Sequence, residues 1–496
     1  MKKALLSLII IGLAAAHLNA QTRTIPVDTT VITNHSTTIN GTKFSYTATT
    51  GTQPVWNELG EPVATLYYTY YKRSNVTNTA KRPLLISFNG GPGSASVWMH
   101  IAYTGPKVLN IDEEGYPIQP YGVHDNPNSV LDIADIVYIN PVNTGYSRTI
   151  PADGKEVKKE LFFGINADVK YLAEWLNTFI TRQERWLSPK FLIGESYGGT
   201  RVSGLALELQ EKQWMYLNGV ILVSPADYNV FKSDVPVSTS LHFPYFTAAA
   251  WYHNMLPKEL QEKDLLEILP ESEAFTLNTV MPALARAGSL TLEEKQAIAK
   301  KMAYYSGLSE KSILQHNLAV PTRFFWKELL RDKTGNTIGR LDSRYLGLDK
   351  MEAGVSPDYS PELTSWLHSF TPAINYYIRE HLKFKTDIKY NMFGPVHPWD
   401  DKNNNTRDNL RKAMAENPYL NLLFQAGYYD GATTYFNTKY TMWQIDPSGK
   451  MKDRMNFKGY RSGHMMYLRK ADLKTANDDL RVFIKESLAN GKAAKY

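Results

Sequence analysis

The chain has no cysteine among its 496 residues. That absence excludes a disulfide-stapled scaffold, a thiol nucleophile, a thiolate metal site and a lipid-modified cysteine. Charge of one sign is also scarce. The formal net charge is only +6, and Lys2 and Lys3 supply two of those charges. A surplus that small gives no reason to expect a nucleic-acid partner. Long apolar runs are missing too. Past residue 20, no stretch of 18 apolar residues is free of charge, so the remainder reads as a soluble protein without stable membrane insertion. The apolar run from Ala4 to Ala16 follows two lysines and precedes the small residue Ala20. It is short for a bilayer span and has the layout of a signal peptide cleaved after Ala20. The expectation is an exported protein, periplasmic or secreted. Without disulfides it must be held by its core alone, and at 43% hydrophobic residues it has enough to build one.

What is present divides into two kinds of pattern. "EPVATLYYTYYKR" alternates like strands bounded by polar turns. Short apolar runs follow at Leu84–Phe88, Ile136–Ile139, Lys190–Ile193 and "NGVILVSP". Between them, Val169, Leu172, Ala173, Leu176, Phe179 and Ile180 recur at helical spacing, and Thr200–Leu209 reads as a helix. Strands alternating with helices imply a largely parallel sheet with crossover helices, an α/β architecture. From residue 228 to 385 the strand signal fades and charge-rich helical segments take over, which marks an inserted helical subdomain. Strand character returns at Leu420–Gly431 and near "TMWQID", and a helix around Asp472–Ala489 closes the chain. The expected organisation is a signal peptide at 1–20, core at 21–227, helical cap at 228–385 and core again at 386–496. "DKNNNTRDNLRK" from Asp401 has a calcium-loop opening, but Thr406 replaces the turn glycine and Lys412 replaces the closing glutamate. It reads as a solvated loop entering a helix.

The chemistry centres on "FLIGESYGGTR", Phe191–Arg201. Ser196 follows a strand and precedes a helix, the context in which Gly-x-Ser-x-Gly presents a nucleophile. The backbone N–H of Tyr197 can face a developing oxyanion there. A glutamate, Glu195, stands directly before the serine. Such a site needs an acid and then a histidine further along the chain. Asp430 closes the apolar strand "LNLLFQAGYYD"; Asp446 and Asp453 are alternatives without that position. Past Asp430 there is a single histidine, His464 in "YRSGHMMYL", the candidate general base. "NGGPGSAS", Asn89–Ser96, follows another strand and can offer glycine N–H groups as the second oxyanion donor.

"NGGPGSAS", "NPVNTGYS", "GESYGG", "GYYDG" and "SGHMM" occur in that order, and together they resemble the serine carboxypeptidase family. The resemblance implies an α/β-hydrolase fold with a helical cap and a triad of Ser196, Asp430 and His464. It implies an oxyanion hole from the N–H groups of Gly91 and Tyr197. It also implies that Asn89 and Glu195 hydrogen-bond the free carboxylate of a peptide's last residue, with Met465 near the pocket for that residue. A glutamate can donate to a carboxylate only when protonated. In the family a second glutamate helps keep it so. The aligned position here is Tyr103, which can hydrogen-bond Glu195 but cannot form a carboxyl pair. Ser94 stands where the family has cysteine, and Asn143 where glycine is common. The expected activity is release of C-terminal residues from peptides through an acyl-enzyme, with a peptide substrate and no metal or cofactor. The alternatives are an esterase or acyltransferase using the same triad, or a binding protein that has lost catalysis.

Overall fold

The computed structural model describes residues 23–151, 157–226, 235–489, 491 and 493–494. The expected signal peptide, its cleavage point at Ala20 and the first residues of the insertion lie outside them. A ten-stranded sheet organises the rest. Its main strands are β1 (Thr29–Ile39), β2 (Thr42–Trp56), β3 (Pro62–Arg73), β4 (Leu84–Phe88), β5 (Asp135–Ile139), β6 (Lys190–Glu195), β7 (Gly219–Val223), β8 (Asn421–Gly427) and β9 (Met455–Tyr460). They lie in the order β1-β2-β3-β5-β4-β6-β7-β8-β9, and the short strand Arg148–Thr149 pairs onto β3. From β5 through β9 every pairing is parallel, whereas β1, β2, β3 and β5 pair antiparallel.

The central parallel strands β4 to β7 are buried along their whole length and mostly apolar because both of their faces are covered, whereas the edge strand β9 alternates. Along β6 and β7, Phe191, Ile193, Ile221 and Val223 point into one core, and Leu192, Val220 and Leu222 into the other. Helices α1 (Ile165–Arg182) and α2 (Tyr197–Lys212) cover the second face. The closing helix α3 (Lys470–Glu486) covers the first with Leu480, Phe483 and Ile484. Each such side chain contributes roughly 1.5–3 kcal/mol by leaving water. The edge strand β1 alternates between half-buried and exposed residues, as expected where one face meets solvent. Its polar sequence hides it from a search for apolar runs. The clue was Asn40-Gly41, both at positive φ (47° and 75°), the favoured dipeptide for a tight hairpin.

Among the described residues the chain between β7 and β8 is mostly helical, with one short strand pair at Thr337–Ile338 and Leu346–Gly347. Phe246 stacks on Phe325 there (ring centroids 4.1 Å apart), within a separate core that includes Ile313 and Leu329. The helix Pro361–Tyr376 instead sends Trp366, Phe370 and Ile374 into the main core beside Trp98 and Tyr103. The chain after it is stitched back to the sheet by bridges from Ser94 to Phe393, Gly145 to Asn391 and Gly164 to Asp400. The segment from Asp401 runs as a loop into the helix Thr406–Glu416. One expectation needs correction. "TMWQID" is not a strand: Tyr435–Ile445 is a helix that buries Thr438, Thr441 and Ile445 at helical spacing. Residues of high strand propensity were overridden by packing, and the strand comes later, at Met455–Tyr460. No helix among the described residues is long and apolar enough to cross a membrane.

Candidate active site

Ser196 sits between β6 and α2 with φ +58° and ψ −126°. A serine held in that region stores on the order of 1–3 kcal/mol. Its backbone is pinned to maintain it. Ser196 N donates to Val223 O at 2.9 Å, and Ser196 O accepts from Gly199 N at 2.9 Å and Ala226 N at 3.0 Å. The glycines are required by proximity. A Cβ on Gly194 would lie 2.1 Å from Gly198 O, and one on Gly198 would lie 2.8 Å from Phe88 O. The turn thus packs against the end of β4, where Asn89–Gly91 begin the second motif. A Cβ on Gly90 would lie 2.5 Å from Tyr197 N. Among the described residues no acceptor takes the N–H of Gly91 or Tyr197, so both remain free for an oxyanion.

Arg201 ties α2 to the loop at Asn89 while paired with the buried Asp168 of α1. Arg201 Nε donates to Asp168 Oδ2 at 2.7 Å, and its Nη1 donates to Asn89 O at 2.6 Å. Arg201 closes the stretch Phe191–Arg201 but was not singled out from sequence. Asn143, where the family favours glycine, takes φ +65°, which asparagine tolerates better than most residues. Ser94 Oγ accepts from Trp98 Nε1 at 2.8 Å.

Asp430 lies in the loop beyond β8, not at the strand's last position. His464 Nδ1 contacts its Oδ2 at 2.7 Å. The same oxygen accepts from Thr433 Oγ1 at 2.6 Å, and Oδ1 accepts from the N–H groups of Ala432 (2.8 Å) and Thr433 (3.1 Å). Every position on the carboxylate is therefore directed, which fixes the imidazole. Thr433 is a positioning residue that the sequence reading missed. Burial alone would depress the His464 pKa, but the Asp430 charge and hydrogen bond, with the Glu195 charge, carry it above its ordinary value.

Glu195 is buried beside this pair. Burial pushes its carboxyl up to about 7, against the opposing effects of His464, Tyr467 and Asn89. Asn89 Nδ2 donates to Oε1 at 3.0 Å, and the Tyr467 hydroxyl bonds Oε2. The expectation that Tyr103 could serve Glu195 is corrected here. Tyr103 donates to Gln425 Oε1 at 2.7 Å, and its ring stacks on Tyr467, with centroids 4.8 Å apart. Tyr467, three residues past His464, takes the position, and the Tyr103 hydroxyl is drawn down to β8. Ser196, Glu195, His464, Gly91 and Met465 open into one cavity of about 210 Å³, with Trp98, Trp366, Phe393, Leu341, Leu363 and Arg340 on its walls. A larger groove, about 670 Å³, runs past Lys81, Asp132 and Arg481. Its Arg481 is already paired with Asp132, and no nucleophile with a base opens into it.

A serine on a strained strand-to-helix turn of a mostly parallel sheet, with an acid and a histidine meeting beside it from later loops, defines an α/β-hydrolase. Within that class the chain belongs to the serine carboxypeptidase family, whose sequence pattern matches residues 57–473. "Serine carboxypeptidase S10 family member 1" of Dictyostelium discoideum is 25% identical over 156 residues, 30% of this chain and 32% of that protein. "Serine carboxypeptidase-like 8" of Arabidopsis thaliana is 26% identical over 184 residues, 36% of this chain and 40% of that protein. The matched stretches span less than half the length of these relatives. The crystal structure of a prohormone-processing carboxypeptidase from Saccharomyces cerevisiae aligns with 89% of this chain and 92% of its own, at a TM-score of 0.53 and 15% identity, and so shares the fold.

Proposed function

We propose that the protein is an exported serine carboxypeptidase. Ser196 Oγ bonds to the carbonyl carbon before the last residue as its proton passes to His464 Nε2, the ring nitrogen not held by Asp430. The tetrahedral oxyanion is met by the N–H groups of Gly91 and Tyr197. The C–N bond breaks as His464 returns the proton to the departing amine. Water then enters by the same route: its proton goes to His464, its oxygen bonds to the acyl carbon, and Ser196 leaves with the proton. Asn89 and protonated Glu195 hold the terminal carboxylate of the departing residue, with Met465 beside it. The observation that carries this reading is the 2.7 Å contact between His464 and Asp430 at the cavity that Ser196 lines.

A fluorophosphonate probe and one peptide with a free C-terminus test it. Wild type should be labelled and should release the last residue. Ser196→Ala should lose both, with a rate loss on the order of 10⁶-fold. Undiminished hydrolysis by Ser196→Ala would overturn the assignment. The rival is an esterase or acyltransferase on the same triad. The observation in its favour is that Tyr103 is committed to Gln425, so Glu195 has no carboxyl partner there. A simple ester hydrolysed far faster than any peptide would favour it.

A further inference from the structure

Arg340 comes from the inserted region, remote in sequence from every motif. Residues 339–345 form a strap across the loops that carry Asp430 and His464. Gly431 N donates to Arg340 O at 3.0 Å, His464 N to Leu341 O at 2.7 Å, and Ser343 N to Tyr429 O at 2.9 Å. Gly463 is bare because the strap lies on it: a Cβ there would be 2.5 Å from Asp342 Cβ. From the other side, Glu362 Oε1 accepts from Leu341 N at 2.9 Å. The backbone at residue 340 is therefore fixed against both catalytic loops, while its side chain is exposed and lines the cavity with Ser196, Glu195 and Met465.

The guanidinium is also uncommitted. Among the described residues it makes no ion pair and no side-chain hydrogen bond. The strap's other arginine, Arg344, is buried and bound to Asp342 at 2.7 Å. Two of the three nearby acids are engaged elsewhere. Glu195 is held by Asn89 and Tyr467, and Asp430 by Thr433 and His464. Glu362 accepts from Leu341 N through Oε1 alone, and its Oε2, buried without a hydrogen-bond partner among the described residues, sits tightly under Gly339, where an added Cβ would lie 2.4 Å away. An arginine fork with no internal partner, aimed into a reaction cavity beside the departing-residue side, is suited to a carboxylate.

We propose that Arg340 binds a carboxylate on the residue that leaves and makes the enzyme selective for anionic departing residues. The inference rests on Ser196 being the nucleophile of a peptidase. Two carboxylates qualify: the peptide's own terminus, or the side chain of a terminal Asp or Glu.

Four peptides with one acyl part separate the two, ending in Phe, Phe-amide, Glu and Gln. kcat/KM is measured for wild type, Arg340→Gln and Arg340→Glu. The expected loss in Arg340→Gln is about 10- to 100-fold on the preferred carboxylate, as for a hydrogen bond to a charged group. If the terminus is bound, the loss falls on Phe but spares Phe-amide. If the side chain is bound, it falls on Glu but spares Gln. Arg340→Glu should deepen the loss and improve a fifth peptide, ending in Lys. Free glutamate should also slow fluorophosphonate labelling of wild type more than of Arg340→Gln. Equal losses on all four peptides, or none, overturn the proposal and leave Arg340 a neighbour of Glu362. Failure of the underlying reading looks different: wild type itself would resist the probe, or Ser196→Ala would retain its activity.

Discussion

Glu195 should make the preference for a free C-terminus a function of pH. The perturbation is a titration from pH 5 to pH 8. The quantity followed is the ratio of kcat/KM for a free-acid peptide to that for the same peptide amidated. Both substrates use the same triad, so the titration of His464 cancels in the ratio and the clamp remains. Glu195 can donate to a substrate carboxylate only in its protonated form, and burial pushes its carboxyl up to about 7. Below pH 6 the protonated form dominates. At pH 8 roughly a tenth remains, so the ratio should fall from its plateau toward 1 as pH passes through 7. Its plateau at low pH should be about 10- to 100-fold, the worth of a hydrogen bond to a charged acceptor. Glu195→Gln carries a permanent donor in the same shape. The Asn89 amide still meets its oxygen, and the Tyr467 hydroxyl can turn to accept from its nitrogen. The ratio in that variant should be flat with pH. A ratio that is flat in wild type would refute the clamp, as would a ratio that rises with pH.

Other perturbations test the framework around the site. The Glu362 carboxyl is also pushed up to about 7 by burial, against hydrogen bonds from Leu341 N and its own backbone. A carboxyl raised on folding gives stability that is complete below its unfolded pKa near 4.5 and is lost as pH rises through 7. Glu362→Gln should therefore gain on wild type by about 1.4 kcal/mol per pH unit between about pH 4.5 and 7 and no further above that, read as Tm or denaturant midpoint at pH 5, 6, 7 and 8. Thr433→Val removes a hydroxyl from Asp430 and should lower kcat/KM about 10- to 100-fold, with Thr433→Ser restoring most of it. Unchanged kinetics in the valine variant would dismiss Thr433 as a positioning residue. Arg201→Met strands the buried Asp168 carboxylate and should cost about 3–5 kcal/mol in denaturant unfolding.

The sequence made legible what depends on chain order. A serine between strand and helix, an acid past a later strand and the lone histidine after it converge at the cavity because the parallel sheet brings successive loops to one end. Strands β4 and β5 were readable because both faces are buried and their residues are mostly apolar. Strand β1 was not, since its polar face meets solvent and only the turn at Asn40-Gly41 betrayed it. The exchange of Tyr103 for Tyr467 could not be read either. Both tyrosines belong to one stack, and which hydroxyl reaches Glu195 depends on ring positions that no spacing encodes. Arg340 was beyond reach for a related reason. It belongs to a helical insertion with no local motif, and only the strap's bonds to Gly431 and His464 bring it to the cavity.

Those bonds change what a lone carboxyl can accomplish. Glu195 without a second acid grips a carboxylate only while it holds a proton, and above pH 7 that grip should fade. A guanidinium keeps its charge throughout the range. If both groups hold the terminal carboxylate, the free-acid preference should fall to a floor at high pH rather than vanish, and Arg340→Gln should remove the floor. The two substitutions would then be non-additive, because a carboxylate released from one is placed differently against the other. If Arg340 instead holds the departing side chain, Glu195→Gln and Arg340→Gln should act independently, and the free-acid preference should vanish at high pH with or without the arginine. The double variant, measured at pH 5 and pH 8 with free-acid and amidated peptides, decides between one shared anchor and two separate ones.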